Sequence, residues 1–192
     1  MRPMTDASPR LSKSQRTRAS ILRAARDLFA AEGYERATVR DVAARAEVDP
    51  ALVIRYFGSK DGLFARAADF DLRLPDLSDM DRARLGPALV RHFLDVWEGP
   101  GSNGGMTILL RSAASNPLAA EKLQEVFAGQ VLPALARASG APDAAERAGL
   151  VASQLLGLAL GRYVLKLPPL VALPAERIVE EVGATVQRYL GV

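Results

Sequence analysis

"DPALVIRYFGSK", residues 49–60, opens on two helix-start signals and closes on a helix stop. Asp49 is a good N-cap, Pro50 suits the first helical position, and Gly58 suits the residue just past the end. The short segment between them is mostly apolar, with Leu52, Val53, Ile54, Tyr56 and Phe57. Two turns of helix cannot bury all five on one side. With Val53 at the centre of the core side and a step of about 100° per residue, Phe57, Pro50 and Tyr56 fall within about 60° of it. Ala51 and Arg55 then lie opposite, with Leu52 and Ile54 on the flanks. The pattern predicts a short helix whose exposed face is partly apolar and centred on an arginine, and exposed apolar surface marks a place of contact.

The residues just upstream give that face a context. Thr38 and Asp41 form a capping box with Asp in the usual Glu position, and Val42, Ala43 and Ala46 share an inward face. A capped helix over 38–46, a turn at Glu47–Val48 and a second helix over 50–57 have the dimensions of a helix-turn-helix, whose second helix enters the DNA major groove. There the thymine methyl accepts apolar side chains and guanine O6/N7 accepts Arg, roles open to Ala51, Leu52, Ile54 and Arg55. Ser59 can cap a fourth helix. The helix starts at Thr38 and Ser59 would flank the reading helix with amide groups suited to phosphate. Arg40 and Lys60 sit in first turns, where a cation opposes the helix dipole unless an anion lies beside it. Singly, each residue has a plainer reading: Arg55 could solvate a surface, and Lys60 could pair with Asp61 or Asp49. Charge tips the balance. Residues 1–66 hold 13 of the 25 Lys and Arg but 8 of the 22 Asp and Glu, a net of +5 against −2 for the remainder, which points to a polyanion partner.

The rest of the chain is helical in period, with no strand alternation, and the expected fold class is all-α. Residues 1–12 read as a mobile basic arm, 13–66 as the helix-turn-helix domain and 67–192 as a second helical domain. In the first helix Ile21, Leu22, Ala25, Leu28 and Phe29 make one stripe, closed by Gly33 with Tyr34 covering the end. Residues 73–81 look like a connector, and "GPGSNGG" (99–105) like the most flexible loop. Stripes follow at Leu89, Val90, Phe93, Leu94 and Trp97, and at Met106, Leu109, Leu110, Ala113 and Ala114. Asn116–Pro117 opens another helix, kinked near Gly129 and Pro133. Residues 143–166 are apolar nearly all round, and Ile178, Val182, Val186 and Leu190 stripe the last helix. There is no Cys, one His (His92, read as half-exposed and structural), no secretory h-region, and no apolar run of membrane-spanning length. These features predict a cytoplasmic protein.

The stretch "ILRAARDLFAAEGYERATVRDVAARAEVDPALVIRYFGSKDGLF" (21–64) resembles the DNA-binding domain of the TetR family of transcriptional regulators over nearly its whole length. The carrying motifs are Ala-Ala-x-x-Leu-Phe and Gly-Tyr in helix one, Thr-Val-x-x-Val-Ala in helix two, and Phe-Gly-Ser-Lys before helix four. By that resemblance Thr38, Val39, Arg40, Pro50, Ala51, Leu52, Ile54, Arg55, Tyr56 and Lys60 occupy DNA-meeting positions. Three residues depart from the pattern. Glu47 stands where the family usually has Gly, Asp49 replaces a Ser or Thr cap, and Ile54 stands where a phosphate-contacting Tyr is common. The resemblance further implies a repressor of a double-stranded DNA operator, a small-molecule effector domain, and a homodimer built from the last two helices (143–166 and 174–190). Independently, helix 143–166 needs apolar neighbours on two sides, and Gly157 and Gly161 permit close helix approach.

An effector pocket between the C-terminal helices would be mostly apolar. Phe93, Trp97, Leu110 and Phe127 are bulky candidates, with Arg111, Gln154 and Arg162 as polar anchors. No cofactor motif, metal-ligand cluster or catalytic set is present, so the chain does not read as an enzyme. The rival reading is a helical small-molecule-binding protein or enzyme with a basic N-terminal segment and no operator.

Overall fold

The computed structural model describes residues 12–78, 80–99 and 104–191, and among them regular structure is entirely helical. The expected arm, apart from Ser12, and the centre of the glycine-rich loop lie outside the described residues. The helices are α1 (Lys13–Arg36), α2 (Val39–Arg45), α3 (Pro50–Phe57), α4 (Lys60–Ala67), α5 (Leu85–Glu98), α6 (Gly105–Ser112), α7 (Pro117–Val126), α8 (Leu132–Ser139), α9 (Ala144–Ala159), α10 (Pro168–Val171) and α11 (Ala175–Leu190).

Local chemistry sets most boundaries. Ser12 starts α1 in a reciprocal capping box with Gln15. Gly33, at φ 78°, breaks α1 before its last turn, and this frees the Tyr34 N–H to donate to Ser112 Oγ at 3.2 Å. The expected kink near Gly129 is a π-turn over Phe127–Val131 that joins α7 to α8, and a second π-turn, Leu160–Val164, extends α9.

Two apolar cores result. The first joins Ile21, Ala25, Leu28 and Phe29 of α1 to Val42, Val53, Leu63 and Phe64, and includes Met106, Ile108 and Leu109 of α6. The second packs α5 and α11 with α8 and α9, and receives the Ile178, Val186 and Leu190 stripe. α5 and α11 approach so closely that a Cβ on Gly86 would run into the Gly183 carbonyl oxygen and lie 2.6 Å from the Gln187 nitrogen. Gly86→Ala should therefore destabilise the protein by about 3 kcal/mol, the upper range for forced overpacking. A urea midpoint equal to that of the parent protein would contradict this packing.

Candidate nucleic-acid interface

Three helix starts on the head formed by α1–α4 carry side-chain caps. Thr38 Oγ1 accepts from Asp41 N at 3.2 Å while Thr38 N donates to Asp41 Oδ2 at 3.2 Å. Asp49 Oδ1 accepts from Ala51 N at 2.7 Å, and Ser59 Oγ accepts from Gly62 N at 3.0 Å. Each cap takes only part of its helix's first turn; the remaining N–H groups there have no carbonyl within the helix to receive them.

Between the starts of α2 and α4 lies α3. Val53 is 0% exposed, and Leu52, Tyr56 and Phe57 are half-buried. Ala51, Arg55 and Ile54 (43% exposed) form the outward side. One expectation needs correction: Pro50, placed by helix angle on the core side, is exposed. The core grips α3 through Val53, Tyr56 and Phe57, towards its C-terminal end, and does not reach its first residue.

Long-range contacts fix this assembly. Tyr56 Oη lies 3.0 Å from Ser14 Oγ and ties α3 to the start of α1, while the Arg55 guanidinium lies 5.6 Å from the Tyr56 ring centre. Lys60 pairs with neither Asp61 nor Asp49. Its ammonium sits 4.2 Å over the Tyr34 ring and donates to the Glu35 carbonyl at 3.4 Å. Asp61 instead accepts from the Tyr34 hydroxyl. Tyr34 is thus the hub that sequence reading missed; it looked like a cover for a helix end, because neither partner is local. Thr38 and Arg40 are exposed, and Val39 is half-buried against the core. Glu47, at the family's usual glycine, has φ 55°. The turn is left-handed here, in a residue that adopts that conformation at a cost.

A second candidate site lies among α5–α9, a cavity of about 120 Å³. Phe93, Trp97 and Phe127 line it, as expected, whereas Leu110, Arg111 and Gln154 do not. Those three sit on other faces of their helices, since stripe spacing does not fix which neighbour a face meets. Arg162 is used elsewhere: it pairs with Glu98 at 3.0 Å and donates to the carbonyls of Leu170, Val171 and Leu173 at the end of α10. His92 is half-buried, borders the cavity, and bonds the Leu72 carbonyl oxygen through Nε2 at 2.8 Å. Among the described residues no cluster of three or more His, Cys, Asp or Glu could hold a metal ion, and no helix is long and apolar enough to cross a membrane.

Residues 21–67 match the family described as bacterial regulatory proteins, tetR family, and residues 83–190 match the tetracyclin repressor-like C-terminal domain. The chain belongs to the tetR family. An HTH-type transcriptional repressor of Mycobacterium tuberculosis is 43% identical over 68 residues, 35% of this chain and 36% of the relative. The HTH-type transcriptional regulator TcmR of Streptomyces glaucescens is 35% identical over 94 residues, 46% of this chain and 38% of the relative. The matched segments thus span little more than a third of these curated relatives. A TetR-family regulator from Streptomyces coelicolor A3, solved by crystallography, is 30% identical over 96% of this chain and 100% of its own, with a TM-score of 0.56. A transcriptional regulator from Rhodococcus sp. Rha1 is 27% identical over 94% of this chain and 95% of its own, with a TM-score of 0.64.

Two tests follow from the turn and from Tyr34 in this tetR-family head. Glu47→Gly should stabilise the protein by about 1 kcal/mol, because glycine adopts positive φ without the Cβ clash; a lower denaturation midpoint would contradict that. The Tyr34 phenol is pushed up to about 12, first by burial and then by its bond to Asp61. A raised phenol pKa favours the neutral form in the fold. Its contribution is complete below the ordinary tyrosine value of about 10 and fades as pH climbs towards 12. The stability difference between the parent protein and Tyr34→Phe should shrink over that window in alkaline unfolding curves.

Proposed function

We propose that this tetR-family chain is a sequence-specific DNA-binding transcriptional regulator, a repressor released from its operator by a small-molecule effector. The observation that carries the reading is the division of α3: Val53 fully buried, with Ala51, Ile54 and Arg55 turned outward between two capped helix starts. In the major groove Arg55 would address guanine O6 and N7, while Ala51, Ile54 and part of Leu52 would meet thymine methyls. Thr38, Val39 and Arg40 at one side, and Lys60, Tyr56 and Pro50 at the other, would meet phosphates. Ile54 offers only apolar contact where a tyrosine hydroxyl is common.

A homodimer would place two such heads about 34 Å apart, on successive major-groove turns. Support comes from α9, whose outward side carries Leu150, Ser153, Gly157 and Leu160, apolar or small and exposed. A Cβ on Gly157 would meet nothing within 4 Å, so a partner helix could come close. Gly161, expected to serve the same end, is already covered by Leu170, 2.6 Å from where its Cβ would be. The outward side of α11 is charged and internally paired, Arg177 with Glu180 and Glu181 at 3.1 and 2.7 Å. α9 therefore supplies the apolar part of the contact.

Release by an effector would follow from the shared core. Trp97, Met106 and Leu156 both pack against the head and line the cavity, so occupancy of the cavity bears on how α1 and α4 sit. The test is a gel-shift series with DNA upstream of the protein's own gene, over a range of salt. Lys60→Ala should weaken binding to all sequences alike and reduce the log–log salt slope by about 1. Arg55→Ala should cost about 1–3 kcal/mol at the preferred site and relax specificity there. Binding untouched by either substitution would overturn the assignment.

A further inference from the structure

Of the residues lining the cavity, only His92 and Trp97 carry a polar side-chain atom, and neither is a formal charge partner like Lys, Arg, Asp or Glu. No charged side chain lines the cavity: Arg162 is committed to Glu98 and the carbonyls at the end of α10, and Arg73 and Asp95 line a separate pocket that meets the cavity at His92 and Val96. A charged guest would lose its hydration and find no counter-charge, whereas an uncharged apolar guest would lose little. One side of the cavity is bordered by irregular chain. Leu72 and Leu74, in the segment that follows α4, line it from that side.

The backbone of that segment is held at both polar groups of a single residue. The Leu72 N–H donates to Gln130 Oε1 at 2.7 Å, and the Leu72 carbonyl accepts from His92 Nε2 at 2.8 Å. Gln130 also donates through Nε2 to the Phe70 carbonyl at 3.1 Å. Gln130 stands in the π-turn and His92 on α5, so the strap is pinned from two walls of the cavity. Between the two leucines Arg73 has φ 47°, a conformation an L-residue holds only when its neighbours impose it. Both hydrogen bonds to Leu72 come from side chains, so opening the strap breaks no helix.

We propose that the cavity takes an uncharged hydrophobic molecule, and that residues 70–74 are a latched strap which this molecule must lift to enter. The proposal rests on the reading of the cavity as an effector site and adds the chemistry of the guest and its route. The strap leads directly from the last turn of α4, where Arg26 Nε donates to the Ala67 carbonyl at 3.3 Å, so its lifting acts on the helix that begins with Lys60.

The test uses the full chain and two fluorophores that share one aromatic frame: neutral N-phenyl-1-naphthylamine and its 8-sulfonate. The neutral probe should bind one per protomer at least tenfold more tightly than the sulfonate. Ala152→Trp, which fills the cavity from α9, should abolish that binding with helical circular dichroism unchanged. Should that variant fail to fold, Val131→Trp fills the cavity from the π-turn instead. Gln130→Leu should speed probe association about tenfold and deprotect the Leu72 amide in hydrogen exchange. Equal or tighter binding of the sulfonate, or neutral-probe binding that survives a folded filling variant, overturns the ligand class. An unchanged association rate in Gln130→Leu overturns the strap. Neutral-probe binding that meets these criteria but leaves operator DNA bound supports this inference while removing effector release from the proposed function.

Discussion

An eight-residue helix has no stability of its own in water, and the architecture of the head follows from keeping α3 in one place. Val53 is its anchor, wholly enclosed by α1, α2 and α4, with Tyr56 and Phe57 widening the grip. Asp49 fixes one end through the Ala51 amide, and the Tyr56–Ser14 contact fixes the other. A rod held along one side and at both ends presents its free side without paying an ordering penalty when it docks. That free side is where Ala51, Ile54 and Arg55 stand.

The same logic of shared packing runs from head to cavity. α6 belongs to the core of the head, yet Met106 at its start faces the cavity. At its other end Ser112, 1% exposed, receives the Tyr34 N–H that the Gly33 break releases. Asn116, also buried, caps α7 through the Ala119 amide and reaches Glu35 at 3.5 Å. These partly buried polar contacts have few alternative partners, so α6, the start of α7 and the last turn of α1 are constrained to move together. Tyr34 carries the constraint on to Asp61 and Lys60 at the start of α4.

What was legible in the sequence is what is local. The Thr38–Asp41 box, the Asp49–Pro50 start and the Ser59 cap each depend on residues within a turn of one another, and all three form as expected. The burial of Val53 and the exposure of Arg55 follow from a period that needs no tertiary information. Contacts set by the third dimension were not legible. Gln130 meets Leu72 across 58 residues and Ser112 meets Tyr34 across 78, with no sequence pattern to link them. Phe93, Trp97 and Phe127, named from bulky apolar stripes, line the cavity, because large apolar groups gather wherever helices converge. Arg111 and Gln154 lie off the cavity wall, because helical phase alone does not say which neighbour a given face will meet. Glu47 stands at a left-handed position where the family usually has Gly, and it adopts that conformation.

On the proposed function, the outward side of α3 meets DNA while its inward side stays in the core. The chain has four isoleucines, and three of them, Ile21, Ile108 and Ile178, are at most 1% exposed, whereas Ile54 is 43% exposed on α3. Titrating isoleucine-methyl-labelled protein with an operator duplex gives four signals to follow by NMR. The Ile54 methyl should shift strongly and saturate with the duplex, with far smaller changes at the buried three. Saturating binding that leaves Ile54 unmoved would contradict the account.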